Sequence, residues 1–237
     1  MHFLRSVLAA TAVAAFFPLT LARADTAEQQ FQRLQHEVQA GRTLAGQPLV
    51  LEVDLAASDV RIEREAGRMH LRYRMAAHQV AEGWSWQPQA DPAETDYYRY
   101  KFLPLQSLTV DEGDYLHEDM IGEAQRMRVV QRHDYFLAFD NLYDFYPRSV
   151  DDEAGFSAAL PLLPAERLGL RAEARLDASP FRDSTTFWKA IHAQPRDLTL
   201  KKHYLIGRLH ALELFDREDG RSLCRIKPGG GGRCRHP

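Results

Sequence analysis

The chain has 237 residues, with 30 lysines and arginines against 33 acidic residues and a formal net charge of −3. These charges are spread along the chain and build no basic stripe, which excludes a nucleic-acid binder. The length suits one β-rich domain or two small ones, and beyond the first apolar stretch nothing approaches the ~18 residues that a membrane span needs.

Residues 1–24 carry Arg5, then an apolar run from Val7 to Leu21 interrupted by Pro18, then Ala22-Arg23-Ala24. A charged start, a short apolar middle and an A-x-A end predict a secretory signal cleaved after Ala24. The expected location is the periplasm or the medium, with no membrane span after cleavage.

Residues 25–41 predict an amphipathic helix. Phe31, Leu34 and Val38 recur on one face, Thr26 and Gln29 have the spacing of a capping box, and Gly41 suits the stop.

From residue 45 to 223 the apolar period is two. Leu49, Leu51, Val53 and Leu55 alternate with polar neighbours or Val50. So do Met69, Leu71, Tyr73 and Met75, and later Leu168, Leu170, Ala172, Ala174 and Leu176. Each predicts a strand with one buried and one wet face, and the arginines and glutamates of the wet faces suit cross-strand ion pairs. The stretch from Tyr135 to Phe139 is apolar on both faces and is expected to cross the core. In "HYLIGRLHALELFD" the apolar parity slips between Leu209 and Leu212, which predicts a bulge between Gly207 and Ala211. "REAGR" (64–68) and "REDGR" (217–221) sit between alternating segments and read as hairpin turns. "SPFRDSTTFWKAIHAQP" predicts a short helix from Ser184, with Phe187, Trp188 and Ile191 on its buried face. An irregular patch at 147–165 is the place where two subdomains would meet. The fold class expected is therefore β-rich, all-β or α+β: an antiparallel β-sandwich or open barrel with an N-terminal helix and one short additional helix.

Chemistry is sparse. There is no HExxH, no phosphate-binding loop and no dinucleotide fingerprint, and "GFSAA" around Ser157 lacks the second glycine of a nucleophile elbow. No cofactor and no metal are expected. The aromatics Trp84, Trp86, Tyr97, Tyr98 and Tyr100 cluster in a loop-like segment and suit a glycan or a protein partner, or else plug the end of a sandwich. Asp134, Asp140 and Asp144, with His133 beside them, are the candidates for a paired-carboxylate acid/base site, as in a hydrolase of envelope polysaccharide or peptidoglycan. The blander reading of these acids is a buried ion pair with arginine. Residues 224–237 form a Gly-rich tail closed by Cys224 and Cys234. In an exported protein a disulfide is expected, and a metal site shared with His236 is the alternative. Together these readings predict an exported cell-envelope protein that binds a protein partner or a glycan without catalysis.

Overall fold

The computed structural model describes residues 26–56, 59–65, 68–74, 100–118, 122–145, 155–189, 195–230 and 234. Helix α1 (Ala27–Gln39) begins at the capping box. Gln29 N–H donates to Thr26 Oγ1, and Thr26 N–H donates to the Gln29 side chain at 3.0 Å. Gly41 follows at φ 78°, a left-handed conformation that glycine adopts without a Cβ penalty. Phe31 and Leu34 are buried, whereas Val38 stays largely exposed.

Two sheets follow. The larger contains β1 (Pro48–Val53), β4 (Lys101–Glu118), β5 (Ala124–Phe139), β7 (Leu168–Trp188), β8 (Arg196–Asp216) and β9 (Ser222–Ile226), in the order β1-β7-β8-β5-β4 with β9 on the flank of β8. The smaller is β2-β3-β6, from β2 (Asp59–Glu65), β3 (Arg68–Arg74) and β6 (Gly155–Pro161). The protein is thus β-rich with an N-terminal helix, as the alternating segments predict. Asp54 N–H donates to Pro104 C=O at 2.8 Å, so the large sheet curls until its edge strands β1 and β4 touch at one point.

One face of the large sheet carries the core. Leu51, Val53, Leu103, Leu137, Phe139, Leu170, Ala172, Leu205 and Leu212 pack there with Phe31 and Leu34 of α1 and with Met69, Ala158 and Leu160 of the small sheet. The opposite face near β9 is wet and laced with charge. Arg171 reaches Glu213, Arg225 reaches Glu173, and Arg217 pairs with Glu52 across strands, while the Arg171 guanidinium lies 3.7 Å over the Phe215 ring.

The parity slip in β8 is a bulge. Glu173 pairs with Ala211 and Ala174 with Leu209, which leaves His210 as the extra residue. "REDGR" is the β8–β9 turn, with Gly220 at φ 73° donating to Asp216 C=O. In the small sheet Glu65 pairs with Arg68, and the two residues between them in "REAGR" lie outside the described ones.

Two expectations differ from the structure. β5 and β8 pair in parallel, so the large sheet is mixed rather than antiparallel. These strands are joined through β6 and β7 instead of by a hairpin, and a long connection permits parallel pairing. The helix expected at Ser184 is the end of strand β7, which pairs with β8 as far as Trp188 opposite Leu198. Thr185, Thr186, Phe187 and Trp188 are β-branched or aromatic and fit a pleated ladder. Phe187 and Trp188 are 70% and 39% exposed rather than buried, and Ile191 lies outside the described residues. A short helix not placed by the sequence reading, α2 (Leu142–Phe145), follows β5.

Candidate functional site

Strand register places the polar groups of four strands in rows beyond the end of α1. On the core side of the large sheet the first row is Asp183, His203, Tyr135 and Gln106, across β7, β8, β5 and β4. The next is Thr185, Lys201, His133 and Leu108. The outermost is Phe187, Thr199, Gln131 and Val110. Alternation along each strand puts all of them on one face.

Hydrogen bonds join these rows into a chain. His203 Nδ1 lies 2.8 Å from Asp183 Oδ1, and His203 Nε2 lies 3.1 Å from His133 Nδ1. His133 Nε2 lies 2.7 Å from Gln131 Oε1. Gln131 also accepts from Lys201 Nζ at 3.2 Å and donates to Glu112 at 3.2 Å. The rings of Tyr135, His203 and His133 lie nearly parallel, 4.8 and 5.3 Å apart at their centroids, and Phe31 of α1 stands edge-on to Tyr135. Burial, then the charges of His203 and Lys201, lowers the pKa of His133, opposed by Glu28 of α1 and by Asp134. Burial pushes the Tyr135 hydroxyl up to about 12. The histidine end of the chain is half-buried, while Asp183 and Phe187 are open to solvent. The arrangement offers fixed donors and acceptors beside an exposed aromatic ring, and a path along which a proton can move.

The opposite face holds a second, covered group. Ser107, Asp134, Lys202 and Ser184 form one row there, next to the rings of Phe136, Tyr204 and Phe102. Ser107 Oγ donates to Asp134 at 2.6 Å, and Arg132 donates to it from Nε at 3.2 Å and Nη2 at 3.1 Å. Asp134 is the buried acid paired with arginine.

The acids singled out in the sequence do not gather around His133 and Asp134. His133 and Asp134 are neighbours in one strand and so point to opposite faces. Asp140 is six residues beyond Asp134, about 20 Å along an extended chain at ~3.3 Å per residue. Asp144 belongs to α2, where Asn141 and then Arg208 hold its carboxyl below the ordinary range. Arg208 Nη2 donates to it at 2.6 Å. Trp84, Trp86, Tyr97 and Tyr98 lie outside the described residues, and Tyr100 is half-buried just before β4. Cys224 and Cys234 are bonded to each other. Among the described residues no three His, Cys, Asp or Glu side chains are grouped to hold a metal ion, and no helix is long and apolar enough to cross a membrane.

Asp183, His203, Gln131, Lys201 and Lys202 were not singled out by sequence reasoning. The parity of β8 already separates His203 from Lys202 and Tyr204, but only the parallel pairing with β5 sets His203 beside His133. No family model matches the chain, and no curated protein and no solved structure matches it either.

Proposed function

We propose that this is an exported protein of the cell envelope that binds a glycan, without catalysis, on the open end of the large sheet. The observation that carries the reading is Phe187, 70% exposed at the edge of the hydrogen-bonded row that runs from Asp183 to Gln131. A sugar ring has an apolar C–H face that stacks on an aromatic ring and hydroxyls that need donors and acceptors together. Phe187 supplies the first, and Asp183, Gln131 and Lys201 supply the second. The Cys224–Cys234 bond is compatible with an oxidising compartment.

A protein partner adding a strand is a weaker fit. Among the described strands β4 is at the edge of its sheet, carries Asp111, Glu112, Asp114 and Glu118, and has bulges after Pro104 and Asp111. Charge and bulges on an edge strand oppose pairing with another chain.

The test is an NMR titration of the isotope-labelled chain from Asp25 with soluble peptidoglycan and envelope-polysaccharide fragments. The expected result is saturable shifts at Phe187, Gln131 and Lys201, with affinity weakened about fivefold by Phe187→Ala, the order of an aromatic contact worth ~1 kcal/mol. Fragments that leave all three residues unmoved, or that bind F187A equally well, would remove the proposal.

A further inference from the structure

Lys202 is 1% exposed, and among the described residues its Nζ has no hydrogen-bond partner. The groups around it are already committed. Asp134, its neighbour in β5, takes its hydrogen bonds from Ser107 and from the Arg132 fork. Both Asp134 oxygens are thus in use, one by Ser107 and one in the ion pair with Arg132. Among the described groups here Lys202 is therefore a second cation beside a single acid, with three N–H groups to place. Lysine is almost never fully buried without a partner, because an unpaired ammonium out of water is costly. An apolar residue of similar length would fill the same space without that cost.

We propose that Lys202 anchors a buried site for a small monoanionic carboxylate. The charges of the described groups point to the ligand class: against Arg132, Asp134 and Lys202 one negative charge restores balance, whereas a phosphate dianion overshoots it. Ser184 flanks Lys202 in β7, on the side away from Asp134, and brings a hydroxyl to the same face. Two residues along the strands, Tyr204 stacks on Phe136 with centroids 5.2 Å apart, and Phe102 packs against both. These rings keep the surroundings apolar, and in a low dielectric an ammonium–carboxylate pair is strong. Burial draws the Lys202 pKa down to about 8 against the opposing pull of Asp134, so the ammonium is still the main form at neutral pH and is available to pair. The site is separate from the open face and does not depend on the glycan reading.

The test uses the disulfide-bonded chain from Asp25, with acetate as the probe and chloride and phosphate at matched ionic strength as references. Thermal unfolding is expected to shift upward saturably with acetate over chloride, and the shift is expected to vanish in Lys202→Met. In protein labelled at the lysine side-chain nitrogens, acetate is expected to raise the Lys202 midpoint by about one pH unit or more, as an opposite charge at contact distance does. A midpoint that is the same in acetate and chloride would overturn the site, and this reading needs only the wild-type protein should K202M fail to fold. Stabilisation by phosphate alone, or an acetate effect that persists in K202M, would overturn it equally.

Discussion

His133 Nδ1 and His203 Nε2 face each other at 3.1 Å, with Asp183 on the far nitrogen of one ring and Gln131 on the far nitrogen of the other. The proton count of this arrangement is fixed. Asp183 accepts, so His203 Nδ1 carries hydrogen. Gln131 Oε1 accepts, since Lys201 donates to the same oxygen while its amide nitrogen serves Glu112, so His133 Nε2 carries hydrogen as well. The bond between the rings needs a third proton. Two neutral imidazoles hold only two, so the chain is complete when the pair carries one positive charge.

His133 is the member expected to be neutral. Burial comes first, then the charges of His203 and Lys201, in lowering its pKa from the ordinary 6.5, and Glu28 and Asp134 only partly offset them. Between that lowered value and 6.5 the folded protein binds fewer protons than the unfolded chain, so this group's contribution to stability rises with pH and is lost as acid is added. Ring-nitrogen NMR is expected to find His133 neutral at pH 6.5 with its hydrogen on Nε2, and His203→Ala is expected to move its midpoint upward. A wild-type midpoint above 6.5 would contradict the arrangement.

The candidate acids separate by the cost of removing them. Asp134→Ala removes the fully buried acid to which Arg132 and Ser107 donate, beside the buried Lys202, and breaking one side of a buried pair costs about 3–5 kcal/mol. Asp144→Ala removes a pair open to solvent on both sides and is expected to cost about 1 kcal/mol or less. Urea unfolding of the two variants checks this, and equal costs would mean that Asp134 is not the buried partner described.

Local signals carried most of the fold. The capping box at Thr26, the period-two runs, the bulge at His210 and the Gly220 turn each rest on residues close together in the chain, and each is present in the structure. The misreadings have a common cause. From Ser184 to Trp188 a serine followed by aromatics looks like a capped helix, yet the ladder along β8 decides the conformation. The polar row at His133 needed the parallel register of β5 with β8, which no short stretch encodes. Lys202 is hidden for the same reason: in "LKKHY" it differs from Lys201 only by parity, and parity alone does not say that its face is covered.

Gly207 in β8 lies tight against the backbone of β7, opposite Leu176. A Cβ at this position would meet Arg175 C=O at 2.6 Å, a backbone atom that cannot swing aside. Gly207→Ala is therefore expected to destabilise by about 1–3 kcal/mol through overpacking. Gly220→Ala meets nothing within 4 Å and carries only the left-handed backbone penalty, roughly 1–2 kcal/mol. Hydrogen exchange distinguishes the two: G207A is expected to open the β7–β8 amides flanking the bulge, and G220A only those of the β8–β9 turn. Unchanged protection along β7 in G207A would show that the strands can part without cost.

The terminal disulfide closes the Gly-rich tail onto the core. Cys224 is fully buried in β9, and Cys234, ten residues on, packs against the same cluster. Between them Gly229 N–H donates to Asp144 C=O at 2.6 Å, so the tail also holds α2 in place. A loop of this length contributes roughly 2–3 kcal/mol by restricting the unfolded chain. Cys234→Ser is expected to lose that amount and to match the reduced wild-type protein. Cys224→Ser is expected to lose more, because it also sets a hydroxyl among buried leucines. Urea unfolding with and without reductant measures all three. A wild-type midpoint that does not move on reduction would mean that the bond adds nothing to what β9 and the Gly229 hydrogen bond already hold.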